Sequence, residues 1–322
     1  MLMLDADAIL DCMPFTTLVD ELAALHREPV GIIDEMLVES TDADNTTNQF
    51  FIRTGWQPGK AVGAKVITIF PRNNKTAEWP SIQAVYILFE AVNGSPVACL
   101  DGTALTWLKT ATDSALGSKF LSRNDIETML MIGAGQMAPH LVRAHCQIRP
   151  TLSRVQIWNR SIDKAQALCA QLAGDLPGIE FSATTDLETS ARAADLICSA
   201  IGCLQPIIHG EWLKSGVHLD LVGAYTPTMR EADDECLRRG SLFVDARETT
   251  LQQIGELMIP LASGVISEDD VLADFSDLCR QKHRGRSSDD QITIFKNGGG
   301  GHLDLMCARL LHQHHQQQQL QP

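Results

Sequence analysis

The apolar run Met129-Leu130-Met131-Ile132 leads directly into Gly133-Ala134-Gly135-Gln136-Met137-Ala138, and the segment that follows has helical periodicity. A G-x-G-x-x-A turn between a strand and a helix is a narrow requirement. Its first glycine makes the tight turn, its second lets a pyrophosphate reach the backbone, and its small sixth residue lets helix and strand pack closely. Amides in the first turn of the helix then face the phosphates. A glycine-rich hexapeptide alone is weak, because many tight turns read the same way, so the context has to decide. From Asp125 onward short apolar runs alternate with amphipathic segments, the pattern of a parallel sheet covered on both faces. Strands are predicted over Thr128–Ile132, Arg154–Trp158, Leu196–Ala200, His218–Val222 and Leu242–Val244. Helices are predicted over Met137–Gln147, Ile162–Leu172, Leu187–Ala193 and Met229–Arg238. Strand-helix units in this succession predict a doubly wound, dinucleotide-binding sheet.

The first third reads differently. Phe15, Leu18, Leu22 and Leu25 recur at helical spacing within a mixed helix and turn segment from Asp5 to Arg27. Strand-like runs follow at Asn48–Arg53, Gly63–Phe70, Ile82–Ala91 and Pro96–Leu100, with turn residues at Gly94-Ser95 and Asp101-Gly102. An antiparallel sheet with one or two helices is expected here, joined to the second region by a helix over Thr106–Leu121. A last apolar helix is expected over Leu303–Leu311, and the low-complexity tail HQHHQQQQLQP is expected to be disordered.

With 40 acidic against 26 basic side chains the formal net charge is −14, so nucleic acid and anionic membrane are poor partners. A small anionic ligand would have to be met by a few placed cations. The nine cysteines are scattered, without CxxC or paired histidine spacing, and predict neither structural zinc nor a disulfide framework. The N-terminal MLMLDADAILDCMP carries acids where a secretion signal needs basic residues, and no apolar run is long enough for a membrane span, which together read as a cytoplasmic protein.

The coenzyme's 2′ position is read after the second strand, at Trp158-Asn159-Arg160-Ser161, where no acid is present to hold ribose hydroxyls. Arg160 between Asn159 and Ser161 suits a 2′-phosphate, so NADPH is favoured over NADH, against the plain reading of Arg160 as a solvated loop residue. Loops after the third and fourth strands, with Ser199, Ala200, Ile201, Val222 and Gly223, lie where open sheets bind ligands. Together with Gly133, Gly135, Gln136 and Met137, these residues form the expected coenzyme surface.

The glycine motif, KTATDSAL before it, LDLVGAYTPTMREADDE after it and ITIFKNGGGGHLDL near the end together resemble the ornithine cyclodeaminase and μ-crystallin family. The resemblance runs from about Phe50 to Leu311, and VGAYTPTMREADDE with GELMIPLASGVI looks most like its ketimine reductases acting on Δ1-pyrroline-2-carboxylate. It implies a Rossmann domain of residues 117–301 inserted in an α+β substrate and dimerisation domain of residues 1–116 plus 302–322. It also implies a homodimer built through the first domain's sheet.

The family's substrate-domain lysine falls at Lys65 in VGAKVITIF, implying the catalytic group and contact with the substrate carboxylate or imine. Its R-T-A segment appears as Lys109-Thr110-Ala111, where lysine keeps the charge and loses the bidentate fork. Arg53 is the candidate for an upstream carboxylate-binding arginine that has no other match. Lysines and arginines are mostly solvated surface residues, but Lys65 lies inside an apolar strand, where a charge is costly without a partner or a task. Ser81, Thr110, Asn297 and Gly299 complete the expected coenzyme contacts. The four glycines after Asn297 read equally as close backbone access or as a flexible connection, and Asp304 as a family acid or a partner of the helix dipole.

In the family's cyclodeaminases an acid precedes the proline of the fourth strand's loop by two residues, whereas Tyr225 stands here before Thr226-Pro227. Loss of that carboxylate removes the acid/base needed for deamination. The implied activity is therefore NAD(P)H-dependent reduction of Δ1-pyrroline-2-carboxylate to L-proline, with Δ1-piperideine-2-carboxylate as a second candidate substrate. Ornithine cyclodeaminase, alanine dehydrogenase and a non-catalytic ligand-binding protein are the alternatives. The run Glu231, Asp233, Asp234 and Glu235 is read as helix capping, and His218 and His302 as core or boundary histidines.

Overall fold

The computed structural model describes residues 1–73 and 78–319. Met1–Pro14, Glu28–Lys109 and the segment beginning at Gly300 form one compact unit, and Phe15–Arg27 with Thr110–Gly299 form a second. The division departs from the sequence boundaries in three places, one of them the return to the first unit, which comes at Gly300 and not at residue 302. The helix Phe15–Leu25 joins the second unit, where Phe15 N donates to Gln147 Oε1 at 2.8 Å, and the boundary near residue 116 moves to Lys109, inside the helix Gly102–Leu121.

The first unit holds a six-stranded sheet of β1 (Leu2–Leu4), β2 (Ile32–Thr41), β3 (Thr47–Gln57), β4 (Ala61–Ile69), β5 (Ile82–Glu90) and β6 (Pro96–Asp101), in the order β1-β6-β5-β4-β3-β2. Only β1 pairs in parallel; the rest is an antiparallel meander. Along β4 burial alternates, with Ala61, Gly63, Lys65 and Ile67 on the covered face. The helix Gly301–Gln319 lies on that face with backbone against backbone. A Cβ on Gly301 would stand 2.4 Å from Thr54 O, and one on Gly55 would stand 2.8 Å from Gly301 O. The helix Gly102–Leu121 is capped by Asp101, whose Oδ1 accepts from Thr103 N and Ala104 N at 2.9 and 2.8 Å.

The second unit is an all-parallel, eight-stranded sheet of β7 (Thr128–Ile132), β8 (Arg154–Trp158), β9 (Glu180–Thr184), β10 (Leu196–Ser199), β11 (His218–Leu221), β12 (Ser241–Val244), β13 (Val271–Ala273) and β14 (Thr293–Lys296). Its order is β13-β12-β14-β11-β10-β7-β8-β9, so the winding reverses between β7 and β10. This is the Rossmann arrangement, and ligands of such sheets bind at the carboxyl ends on either side of the reversal.

Two expectations are corrected. The helix predicted over Met229–Arg238 spans only Asp234–Arg239, because Asp233 caps it by accepting from Cys236 N, and residues 229–232 are a loop. The tail expected to be disordered continues the last helix to Gln319, with His312 and His314 bonded to Gln316 and Gln318 one turn on. Residues 320–322 lie outside the described residues. Among the described residues no helix is long and apolar enough to cross a membrane.

Candidate active site

The register of the first sheet places Glu35, Arg53, Lys65, Tyr86 and Leu100 in one row across β2 to β6. Lys65 is 3% exposed, and its Nζ lies 2.8 and 2.9 Å from the two oxygens of Asp304, with Thr106 Oγ1 at 3.2 Å. Lys109 Nζ stands 3.4 Å from Asp304 Oδ1. Three elements converge here: β4 supplies Lys65, the helix Gly102–Leu121 supplies Thr106 and Lys109 one turn apart, and the first turn of Gly301–Gln319 supplies Asp304. Thr106 Oγ1 donates to Gly102 O at 2.7 Å, which leaves its lone pairs toward Lys65.

Two buried ammonium groups share one buried carboxylate, so the cluster carries one surplus positive charge. Arg53 does not change that count, because its Nε is paired with Glu35 Oε1 at 2.7 Å, and its guanidinium lies 5.0 Å from the Phe51 ring centroid. An unmatched charge out of water is costly, and an anionic ligand would balance it. Burial first, then the neighbouring Lys109 and Arg53 cations, pulls Lys65 down to about 8 against the opposing pull of Asp304. Burial alone would raise the Asp304 carboxyl, but Lys109 and Lys65 hold it below its ordinary value. Sequence reasoning missed Tyr86, buried beside Lys65 in the row, whose ring fills the space that a side chain on Gly63 would need.

In the second unit Gly133 has φ +109°, a conformation suited to glycine, and a Cβ there would stand 2.9 Å from Ala200 O. A Cβ on Gly135 would meet nothing within 4 Å, so its backbone faces open space, as the approach of a pyrophosphate requires. Ala138, 1% exposed, is the small residue that lets its helix seat against the sheet. Gln136 and Arg160 are exposed; Met137 and Asn159 are half-buried, and Asn159 Nδ2 donates to Ser161 O. These features fit a dinucleotide.

The remaining expected coenzyme residues are engaged within their own units. Ser199 is buried, and its hydroxyl donates to Glu231 Oε1 at 2.5 Å. Gly223 N donates to Glu231 Oε2 at 2.6 Å; Ala200, Ile201 and Val222 are half-buried around these bonds. Asn297 Nδ2 donates to Thr110 O and Ser114 Oγ at 3.1 and 3.0 Å. Gly298 N and Gly299 N both donate to Asp245 Oδ2, so the start of the glycine run is a fixed turn. Ser81, in the first unit, is half-buried and accepts from Phe70 N through its carbonyl.

The reading of Glu231 as a cap is corrected: the side chain is fully buried and serves two loops, while Asp233 alone caps the helix that follows. His145 Nε2 and Cys198 Sγ both address Asp220 Oδ2, at 3.2 and 3.1 Å, a buried His/Cys/Asp group whose members are far apart in sequence.

A family model of the ornithine cyclodeaminase/mu-crystallin family matches residues 48–319. The chain belongs to this family. Within it, a Δ1-pyrroline-2-carboxylate reductase from Paracoccus denitrificans is 44% identical over 264 residues, 81% of this chain and 82% of that protein. A protein of the same name from Colwellia psychrerythraea is 30% identical over 309 residues, 96% of this chain and 97% of its own. Among solved structures, Thermococcus litoralis Δ1-pyrroline-2-carboxylate reductase in complex with NADH and L-proline superposes with a TM-score of 0.89 at 24% identity, over 99% of this chain and 98% of that one. At that identity the likeness establishes the family fold.

Proposed function

We propose that the protein reduces the cyclic ketimine Δ1-pyrroline-2-carboxylate to L-proline with NAD(P)H. The observation that carries this reading is the buried Lys65–Asp304–Lys109 cluster with its surplus positive charge. A small substrate bearing one carboxylate neutralises it, and the 44% identical relative carries that substrate in its name.

Bound NAD(P)H supplies the hydride, from C4 of its nicotinamide. The chain's own groups have three tasks. Lys109 and Lys65 meet the substrate carboxylate electrostatically, with Arg53 as a further cation next to Lys65 in the row. Asp304 and Thr106 fix the Lys65 ammonium in one position, which pre-organises the site. Lys65 Nζ, held near 8, keeps the ring nitrogen protonated, so that C2 is electrophilic when hydride adds and the C=N electron pair passes to nitrogen.

A cationic Lys65 therefore predicts that kcat/KM falls as pH rises through about 8. Because Asp304 raises the Lys65 pKa, Asp304→Asn is expected to move this alkaline limb to lower pH. A pH–rate profile of the two proteins checks the direction, and an unmoved limb would separate Lys65 from the proton.

For the coenzyme we propose a preference for NADPH, resting on Arg160 after β8. Arg160→Ala is expected to raise KM for NADPH about 10- to 100-fold, the worth of a hydrogen bond to a charged group, and to leave KM for NADH nearly unchanged. We also propose a homodimer through the first unit's sheet. Its outermost strand exposes Ile32, Met36, Leu37 and Val38 at 50–60%, an apolar edge that a lone chain would leave in water.

The test of the activity is coenzyme oxidation with the five-membered ketimine, the six-membered ketimine, and pyruvate plus ammonia. Oxidation with the five-membered ring is expected. Oxidation only with pyruvate plus ammonia would make the protein an alanine dehydrogenase, and ammonia release from L-ornithine would make it a cyclodeaminase. No turnover with any of them would leave a binding protein.

A further inference from the structure

The loops at the carboxyl ends of β10 and β11 are joined by one side chain, carried by the far end of the second loop. Glu231 lies in the loop before the helix Asp234–Arg239 and is 0% exposed. Its Oε1 accepts from Ser199 Oγ at 2.5 Å and Ile201 N at 3.2 Å, and its Oε2 from Gly223 N at 2.6 Å and Ala224 N at 2.9 Å. Four donors at the carboxyl ends of two strands, one on the last residue of β10 and three in the loops that follow, thus converge on one carboxylate.

Glu231 is itself held. Glu256, also fully buried, accepts from the backbone N–H groups of Glu231 and Ala232 at 2.7 and 3.0 Å. Burial pushes both carboxyls up; Lys296 on β14, buried nearby and donating to Leu221 O at 2.9 Å, opposes this for both, and Arg230 opposes it for Glu256. A buried carboxylate is costly unless its lone pairs are filled, and here the four donors to Glu231 lie at the carboxyl ends of β10 and β11.

The loops continue to the glycine motif by direct contact. A Cβ on Gly223 would stand 2.2 Å from both N and O of Ile201, and one on Gly133 would stand 2.9 Å from Ala200 O and 3.0 Å from Ile201 Cγ2. The three carboxyl-end turns after β7, β10 and β11 therefore lie one against the next without slack, and Glu231 ties the second to the third.

We propose that Glu231 is a positioning residue for the coenzyme: its carboxylate sets the separation of the β10 and β11 loops, and so the shape of the surface that receives the half of the dinucleotide beyond the pyrophosphate. The proposal rests on the dinucleotide reading of this unit. Glu231 also occupies the N–H groups of Ile201, Gly223 and Ala224, which leaves anion binding to the Gly135 turn and the helix after it.

Glu231→Gln tests it. Glutamine has one acceptor oxygen in place of two and turns an NH2 group toward backbone N–H donors, so the tie between the loops is lost at nearly constant volume. Binding of NADPH is measured by its fluorescence, and binding of 2′-AMP, which reaches only the β7–β8 half where the adenosine is held, by calorimetry. The expected result is an NADPH dissociation constant raised about 10- to 100-fold with 2′-AMP binding kept within about twofold. Unchanged NADPH binding, or equal weakening of both ligands, would overturn the positioning role, since the second outcome marks general damage to the unit. A parent protein that binds neither NADPH nor NADH would overturn the dinucleotide reading, and this proposal with it. If Glu231→Gln does not fold, Ser199→Ala removes one of the four donors. About a threefold loss of NADPH affinity with 2′-AMP unchanged is expected, and no loss would overturn the proposal.

Discussion

Lys65→Met is expected to reduce kcat/KM for the ketimine by about 10³-fold or more while NADPH still binds. Methionine nearly matches the length of the lysine stem and carries no charge, so the change removes the ammonium from a site that is otherwise still filled. The strand should tolerate it. Lys65 alternates with Gly63 and Ile67 on a buried face, and burial is the largest influence opposing its charge. Asp304 keeps Lys109 as a counter-ion at 3.4 Å, so no carboxylate is left alone. On the proposed reading, the change removes a cation beside the ring nitrogen and half of the charge that meets the substrate carboxylate. Steady-state rates with the ketimine and a fluorescence titration with NADPH separate the two effects. Turnover retained within about tenfold would remove Lys65 from the chemistry.

Gly135→Val is the complementary change, expected to weaken NADPH at least about 100-fold without affecting the fold. A Cβ at Gly135 meets nothing within 4 Å, so the variant's thermal midpoint is expected to stay close to that of the parent. The same space is where a pyrophosphate must approach the backbone, and a branched side chain would fill it. Gly133 is a useful contrast, because its φ of +109° and the crowding by Ala200 make any substitution there a folding change as well. Calorimetric titration with NADPH and thermal unfolding of both variants check the distinction. Unimpaired binding by Gly135→Val would mean that the coenzyme does not use this turn.

The features that were readable in the sequence are those in which local pattern and tertiary role coincide. β7, β10 and β11 are buried on both faces, β8 alternates between buried and more exposed positions, and Gly133 to Ala138 could be placed between a strand and a helix from spacing alone. Lys65 stood out because a charge interrupts an apolar strand. Other strands carried no such mark. β2 is exposed along nearly its whole length, with Asp34, Glu35 and Glu39 among its apolar residues, so no burial period shows. β14 is four residues long and enters the sheet between β11 and β12, a placement that no local pattern encodes.

The site was half legible for a related reason. Asp304 reads as an acid in the first turn of a helix, and its actual partner Lys65 lies 239 positions away. Glu231 is camouflaged among Asp233, Asp234 and Glu235, where dipole and capping arguments suffice for each; only burial distinguishes the one that ties two loops together. Four consecutive glycines suggested either access or flexibility. Gly298 and Gly299 are instead pinned by Asp245, and Gly301 permits a close helix-to-strand approach.

The central claim is that hydride passes to C2 of a five-membered cyclic ketimine held by the Lys65 cluster. It is tested most directly by incubating the protein with Δ1-pyrroline-2-carboxylate and NADPH deuterated at nicotinamide C4 and analysing the product by mass spectrometry and chiral chromatography. L-proline carrying one deuterium at its α carbon is expected when both hydrogens at C4 of the coenzyme are deuterium. Recovery of unreduced ketimine with intact NADPH, or of racemic proline, would contradict it.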